Sequence, residues 1–205
     1  MPKAQETVLE INLSALGHNY NYLKSKVNTS VKLMAVVKAF GYGSDSVMVA
    51  KELQTLGADY FAVAYTSEGV RLRDENITTP ILVLHPLANA FKELIERCLE
   101  PSIYSLKTLR EFIATAQTLK QKEYPIHLKF NSGLNRLGFN EKDVPEMYSL
   151  LKNTTAVKVT SLMSHLVASE DHNLTDFTHN QISSFVSFTE NFKTEFGYMP
   201  MRHQS

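Results

Sequence analysis

Short apolar runs alternate with amphipathic stretches along most of the chain. The amphipathic stretches have the periodicity of helices and cover residues 46–56, 66–74, 87–97, 106–120, 143–152 and 175–196. The apolar runs cover residues 31–37, 60–64, 81–84, 102–104, 125–130 and 157–163, and a seventh begins near Met199. Because strands buried on both faces of a parallel sheet are almost continuously apolar, this pattern predicts a series of βα units.

A series of βα units builds either a doubly wound sheet or a (β/α)8 barrel. Two features favour the barrel: no Gly-x-Gly-x-x-Gly motif follows the first apolar run, and polar residues of chemical interest end several different strands. A complete barrel takes about 250 residues, whereas this chain has 205. We therefore predict an α/β fold, a TIM-type (β/α)8 barrel over residues 14–205 that is truncated after about six or seven βα units.

The first 13 residues do not follow the βα pattern. Residues 7–13 alternate apolar and polar side chains, which predicts an edge strand without an evident partner in the barrel. A helix is expected to begin near Ser14. We therefore treat residues 1–13 as a separate strand segment.

Composition and charge exclude several classes of protein. The chain carries 21 Lys and Arg against 21 Asp and Glu, so it lacks the positive excess that binding to a phosphate backbone requires. No apolar run reaches the roughly 18 residues of a membrane helix, and the amino terminus lacks the apolar core of a signal peptide. The single cysteine, Cys98, excludes an intramolecular disulfide, and its apolar neighbours predict a small core residue. We expect a cytoplasmic protein that binds neither nucleic acid nor membranes.

Four predicted strand ends carry a lysine or a histidine near the last residue of the apolar run or within two residues after it. These residues are Lys38, His85, Lys129 and His165. All strands of a parallel barrel point the same way, so the four side chains would surround one opening, where the active sites of barrel enzymes form. Alternatively, each side chain is only the first solvated residue after a buried strand.

Lys38 is the strongest single candidate, as a nucleophile or a base. It is followed by Tyr42, which lies between Gly41 and Gly43. Glycines let the backbone approach an anion closely, and the tyrosine hydroxyl could donate a hydrogen bond to a phosphate. The same residues also fit an ordinary βα turn in which one of residues 44–46 caps the next helix.

A second cluster lies in the polar loop of residues 129–139. Arg136 can give directional hydrogen bonds to an oxygen anion, and Lys129 could neutralise a carboxylate or hold the arginine in position. His165 ends the next run and could be an acid or base, a metal ligand or a ring stacked on a flat cofactor. We expect no metal site, because the histidines lack the spacing of metal ligands.

Three segments closely resemble signatures of the alanine racemase family. Residues 35–43, Ala-Val-Val-Lys-Ala-Phe-Gly-Tyr-Gly, are similar to the family's pyridoxal-phosphate lysine signature, and residues 129–138 and 163–165 are similar to later motifs. The motifs occur in the family's order and spacing, and the similarity covers nearly all 205 residues. Residues 6–12 and 63–70 look most like the racemase half of bifunctional fusions with a muramoyl-tripeptide D-alanyl-D-alanine ligase.

The resemblance implies an isomerase that uses pyridoxal 5'-phosphate to convert L-alanine to D-alanine for cell-wall peptidoglycan. By resemblance, Lys38 bonds to the cofactor and serves as one of two bases that exchange the alanine α-proton. The other implied site residues are Tyr42 at the cofactor phosphate, Arg136 at its phenolic oxygen, His165 against its ring, Leu84 beside it, and the supporting residues Lys129 and Asn131. The ring would withdraw electrons from the α-carbon while the protein positions the substrate and transfers protons.

The chain departs from the family pattern in its motifs and in its extent. Phe40, Gly41, Ser44 and Asn131 stand where relatives usually have Asn, Ala, His and Asp. The family's second, β-rich domain, which supplies the opposite tyrosine base from the partner subunit of a homodimer, has no counterpart here. By resemblance, residues 1–13 belong with that C-terminal domain. We expect an N-terminal fragment that is inactive alone, with a non-catalytic pyridoxal-phosphate-binding barrel and a purely structural barrel as alternatives.

Overall fold

The computed structural model describes residues 7–204 and divides the chain into two compact units, Met1–His85 and Pro86–Ser205. Both units consist of parallel strands that alternate with helices, as the apolar pattern predicts. Of the expected strand at residues 1–13, residues 1–6 lie outside the described residues, and residues 7–12 form no strand. That this segment belongs with another domain stays a prediction.

The first unit contains three parallel strands in the order β1-β2-β3. Met34 lies opposite Tyr60 in the first pair, and Phe61 lies opposite Ile81 in the second. In chain order the elements are α1 (Leu13–Ser25), β1 (Met34–Val36), α2 (Lys38–Tyr42), α3 (Ser46–Thr55), β2 (Tyr60–Val63), α4 (Thr66–Asp74) and β3 (Ile81–Val83).

The second unit contains four parallel strands in the order β4-β5-β6-β7. Short 3-10 turns at Ala88–Ala90, Glu141–Asp143 and His172–Leu174 each precede a helix. In chain order the elements are α5 (Phe91–Glu96), β4 (Glu100–Ile103), α6 (Leu106–Thr118), β5 (Tyr124–Lys129), α7 (Val144–Lys152), β6 (Val157–Ser164), α8 (Thr175–Phe196) and β7 (Met201–Gln204).

The strands form the centre of each unit's core. β2 and β3 are buried at every position, and Ile126, Leu128 and Leu162 of the second unit are completely inaccessible to solvent. Full burial of one such side chain contributes roughly 1.5–3 kcal/mol to folding. The helices pack on the strands through one apolar face, as the buried residues of α6 show.

A β-bulge in β6 changes which residue faces β5. Ile126 lies opposite Val159, but the next residue, His127, lies opposite Ser161, so Thr160 is the extra residue of β6. Without the bulge, Thr160 would stand opposite His127. The bulge therefore places Ser161 rather than the larger, β-branched Thr160 beside the buried imidazole of His127.

The elements confirm the predicted pattern with small shifts at their ends. The stretch at 87–97 is divided into a 3-10 turn and the short helix α5. The prediction of Cys98 as a core residue is wrong: α5 ends at Glu96, and Cys98 is exposed, with a φ of 51°, in the turn before β4. No helix within residues 7–204 combines the length and the hydrophobicity needed to cross a bilayer.

Candidate active site

The turn after β1 carries Lys38 and Tyr42. Lys38 is half-buried at the start of α2, and residues 39–42 have φ values of 51°, 57°, 64° and 55°. These values are left-handed, so α2 is a single left-handed turn, held by a 3.1 Å hydrogen bond from Gly41 N to Val37 O. Each left-handed L-residue costs roughly 1–2 kcal/mol, and strain of this kind concentrates at functional sites.

Helix α4 holds this turn in place through Glu68 and Arg71. One Glu68 carboxylate oxygen accepts a hydrogen bond from Ala39 N at 2.8 Å. The other oxygen accepts from two backbone N–H groups directly after β2, at 2.6 and 3.2 Å. The Arg71 guanidinium lies 4.5 Å from the centre of the Phe40 ring, a cation–π contact. The residue after Lys38 is thus fixed to the start of α4.

Gly41 and Ser44, which differ from the usual family residues, depend on each other in this structure. A Cβ atom at Gly41 would lie 2.9 Å from Ser44 Oγ and 3.1 Å from Ser46 N, closer than Cβ atoms normally approach. Ser44 occupies that space because its hydroxyl donates to the Gly41 carbonyl. The predicted helix cap within 44–46 is Asp45, whose carboxylate accepts from two N–H groups of α3 at 2.8 and 3.1 Å.

Leu84 and His85 directly follow β3, also at the carboxyl end of a strand. Both are half-buried, and their N–H groups donate to Val63 O and Ala64 O, each at 2.9 Å. The His85 ring meets the Tyr65 ring edge to face, with 5.6 Å between centres. Leu84 therefore places an apolar residue after the carboxyl end of β3, on the same edge of this unit's sheet at which Lys38 follows β1.

Lys129 ends β5, and Asn131 organises the loop that follows it. Lys129 is buried. The Asn131 side chain accepts from Asn135 N at 3.0 Å and donates to the side-chain oxygens of Asn135 and Asn140 at 2.9 and 3.0 Å. An ionised aspartate has no hydrogen to donate, so this loop requires the amide of Asn131. Arg136 lies exposed in the same loop.

Gln181 of α8 fixes the segment that carries His165. The Gln181 side chain is buried, accepts from Val167 N at 3.0 Å and donates to His165 O at 3.4 Å. Just before His165, the buried Ser164 hydroxyl shares a 2.6 Å hydrogen bond with Ser132. The half-buried His165 is therefore held from α8 and from the loop after β5.

Several candidate groups are available to a ligand. Within the described part of the chain, the Lys38 amine, the Tyr42 hydroxyl and the Arg136 guanidinium make no hydrogen bond or ion pair. All three donate hydrogen bonds, which suits a ligand with anionic oxygens. Among residues 7–204, no group of three or more His, Cys, Asp or Glu side chains is placed to hold a metal ion.

His203, in strand β7, has a strongly altered pKa. Burial, together with the positive charge of His127, lowers the pKa of His203 from 6.5 to about 4. The His203 ring is therefore neutral at pH 7. His203 lies opposite Met163 in the sheet, and Met163 lies opposite Lys129, so all three occupy one level of the second unit.

The structure places every predicted site residue at or beyond the carboxyl end of a strand. In the first unit, Lys38 and Tyr42 share one turn and Leu84 follows β3. In the second unit, further predicted site residues lie at the end of β5 and in the loop after it, and His165 follows the adjacent strand β6. These residues are Lys129, the last residue of β5, and Asn131 and Arg136 in the loop that follows.

Comparison with known proteins identifies the family. Residues 11–205 match the alanine racemase N-terminal domain. The chain belongs to the alanine racemase family. This membership confirms the resemblance read from the lysine signature and the two later motifs.

The relatives are alanine racemases that are about twice as long. The enzyme of Geobacter sp. (strain M21) is 34% identical over 201 residues, which are 96% of this chain and 53% of that protein. Alanine racemase 2 of Oceanobacillus iheyensis is 35% identical over 202 residues, 97% of this chain and 50% of that protein. The chain thus spans about half the length of the curated relatives it matches.

Solved structures confirm the fold class. The alanine racemase of Clostridium difficile 630 matches with a TM-score of 0.86 and 32% identity, over 95% of this chain and 54% of that chain. A second structure of that enzyme, in complex with cycloserine, matches with a TM-score of 0.87. The fold is therefore the TIM-type (β/α)8 barrel of the family's N-terminal domain, as predicted.

Sequence reasoning missed two residues that position the candidate site, Glu68 and Gln181. Glu68 lies three residues after the residue that caps α4, a position where glutamate commonly bonds back to the backbone. Gln181 is a lone polar residue on the apolar face of α8, in line with Phe185 and Phe188. Both signals are visible in the sequence, but neither reveals which backbone groups the side chain contacts.

Proposed function

We propose that this chain binds pyridoxal 5'-phosphate and that the whole protein interconverts L-alanine and D-alanine. The observation that carries the proposal is the strained turn after β1. It presents the half-buried Lys38 and the Tyr42 hydroxyl, whose polar groups make no hydrogen bond or ion pair with residues 7–204. Membership of the alanine racemase family supports alanine as the substrate.

The donor set fits this cofactor. Lys38 offers a primary amine to an aldehyde carbon, and Tyr42 and Arg136 can donate hydrogen bonds to anionic oxygens. His165 offers a flat ring, and Leu84 offers an apolar contact, to an aromatic ligand. When bound, the cofactor supplies an electron-withdrawing ring that stabilises negative charge on the substrate α-carbon.

Lys38 is the group in this chain that we expect to move the α-proton. Lys38 lies just after the end of strand β1 and is half-buried, so water is partly excluded from the residue. Racemisation removes a proton from one face of the α-carbon and returns one to the other face, so it needs a second base opposite Lys38. We infer that the second base comes from another part of the full protein, in a homodimer, as the family resemblance implies.

The wider role follows from the same proposal. A racemase of this family would supply D-alanine for cell-wall peptidoglycan in the cytoplasm. The likeness of residues 6–12 and 63–70 to fusions with a muramoyl-tripeptide ligase further favours a role in cell-wall synthesis.

The proposal is tested by locating the lysine that bonds to the cofactor. We expect the purified chain mixed with pyridoxal 5'-phosphate to develop a visible absorption band, and reduction with borohydride to leave the label on the peptide containing Lys38. The variant Lys38→Ala should lose both the band and the label.

A matched control is Lys51→Ala, which removes an exposed lysine of the same unit that forms a surface ion pair with Glu75. This variant should label like the parent chain. A band of equal strength in Lys38→Ala, or a label spread over surface lysines, would contradict the proposal. Exchange of the alanine α-proton in D2O then distinguishes racemisation from cofactor binding without turnover.

A further inference from the structure

The carboxamide of Gln181, on α8, bonds to two successive peptide groups directly after His165. Its Oε1 accepts from Val167 N at 3.0 Å, and its Nε2 donates to His165 O at 3.4 Å. A backbone N–H only donates and a backbone carbonyl only accepts, so these partners fix which end of the carboxamide faces which residue. Only 1% of Gln181 is exposed, so water does not compete for the two bonds.

The backbone of this segment has few other supports. Residues 165–171, between β6 and the 3-10 turn at His172–Leu174, belong to no helix or strand, so no regular ladder of backbone hydrogen bonds fixes them. The side chain of Val167 is 46% exposed. The conformation of the backbone after His165 therefore depends on side chains of α8.

The surroundings of Gln181 keep its side chain in place. A Cβ atom at Gly133, in the loop after β5, would lie 3.4 Å from both Gln181 Cγ and Nε2 and 3.2 Å from Phe177 Cζ. The backbone of this loop thus packs directly against Gln181. One turn earlier on α8, the Thr178 hydroxyl donates to Ala168 O at 3.3 Å. Two turns of α8 therefore hold residues 165–168 from the same side.

We propose that Gln181 is a positioning residue for His165. The inference rests on the proposed function, in which His165 offers its ring to the bound cofactor. Gln181 is buried and its polar atoms are occupied by backbone groups, so it acts on the ligand only through His165. Without the carboxamide, the segment presents the ring in a smaller fraction of molecules, and the apparent dissociation constant of the cofactor rises in inverse proportion to that fraction.

The variant Gln181→Met tests this role. Methionine is also unbranched and fills the same space against Gly133, but it makes neither hydrogen bond. We expect half-saturation of the absorption band to need about tenfold more pyridoxal 5'-phosphate, the factor that corresponds to about 1.4 kcal/mol. Asn180→Met makes the same substitution at an exposed neighbouring position and should titrate like the parent chain. Equal cofactor affinity in the two variants would overturn the proposal.

A double-mutant cycle with His165→Ala separates positioning from general disturbance. Because Gln181 acts through the ring of His165, adding Gln181→Met to His165→Ala should cause no further loss of cofactor affinity. Inorganic phosphate has no ring, so its inhibition constant against the cofactor should be the same in the parent chain and in Gln181→Met. Losses that multiply in the double variant, or a parallel loss of phosphate inhibition, would overturn the proposal.

Hydrogen exchange measures the bond itself. The Val167 N–H should exchange slowly with D2O in the parent chain and fast in Gln181→Met, since its protein partner is the Gln181 side chain. A freely exchanging Val167 N–H in the parent chain would overturn the proposal even if no variant folds. A parent chain that does not label at Lys38 rejects the proposed function, whereas normal labelling of the parent with unchanged affinity in Gln181→Met rejects only this inference.

Discussion

At the scale of single residues, two tyrosines of the second unit differ in what their hydroxyl groups contact. Tyr124 donates to Leu99 O at 2.7 Å. The Tyr148 hydroxyl is buried and has no hydrogen-bond partner within the part of the chain that the structure describes. Burial, with the nearby charge of Glu195, raises the pKa of Tyr148 to about 12. Tyr148 is therefore held by its ring, which meets Phe196 edge to face at 5.3 Å.

Removing these two hydroxyl groups should have opposite consequences. Tyr124→Phe loses a buried hydrogen bond and leaves a carbonyl unpaired, so we expect a loss of about 1–2 kcal/mol in the free energy of unfolding. Tyr148→Phe removes an unpaired polar atom and should be neutral or stabilising by up to about 1 kcal/mol. Urea denaturation of both variants measures the difference. An equal loss in both would show that the Tyr148 hydroxyl is bonded.

Residues whose roles follow from their place beside a strand end could be predicted from the sequence. Lys38 and His165 lie where the apolar runs indicated. Glu68 and Gln181 could not be assigned in the same way, because their roles depend on backbone groups elsewhere in the fold. Gln181, for example, contacts Val167 and His165, which precede it by 14 and 16 residues.

At the scale of elements, the left-handed turn α2 depends on helix α4. The Glu68 carboxylate accepts hydrogen bonds from three backbone N–H groups, including that of Ala39, the residue after Lys38. Because residues 39, 40 and 42 have φ values that are unfavourable for L-residues, the turn needs bonds of this kind to persist. Glu68 is thus a positioning residue for the amine of Lys38.

The variant Glu68→Gln should weaken cofactor labelling at Lys38 by about tenfold, because hydrogen bonds to a charged group contribute roughly 1.5–3 kcal/mol each. An amide has one accepting oxygen, and its NH2 group would face a backbone donor. Labelling with borohydride across a range of pyridoxal 5'-phosphate concentrations measures the effect. Glu75→Gln, which alters only an exposed ion pair with Lys51, is the control and should label normally. Identical labelling curves for the two variants would exclude a positioning role.

The order and type of the elements could be predicted, but their exact extents and one turn could not. The run at 31–37 yields a strand only at Met34–Val36, which pairs with residues 60–62 of β2. The alternation at 7–13 forms no strand, since alternation without a partner is not sufficient. The left-handed turn could not be predicted, because the glycines around Tyr42 indicated only a close approach of the backbone to an anion or an ordinary βα turn.

At the scale of the whole molecule, the half-buried His203 couples folding to pH. Its pKa is about 4 in the folded chain and 6.5 when unperturbed. Between these values the unfolded chain binds more protons, so the folded state loses stability as the pH falls from 6.5 to 4. The shift corresponds to roughly 3 kcal/mol at 1.36 kcal/mol per pKa unit.

We therefore expect the stability advantage of the parent chain over His203→Gln to shrink by roughly 3 kcal/mol between pH 7 and pH 4. Urea denaturation at a series of pH values provides the measurement. His172→Gln, at an exposed position, should show no such change relative to the parent. A constant difference between the parent and His203→Gln over the whole range would mean that His203 titrates normally in the folded state.

The left-handed turn after Lys38 would suit an amino acid of the D configuration better than the L-residue at position 39. For an amino acid of the opposite configuration, the φ and ψ of Ala39, both 51°, are the ordinary helical conformation. A semisynthetic chain with a mirror-image alanine at that exposed position would therefore form the turn at about 1–2 kcal/mol lower cost. Lys38 is thus preceded by a strand and followed by L-residues whose own stereochemistry disfavours the backbone conformation that they adopt, and only the surrounding fold imposes this arrangement.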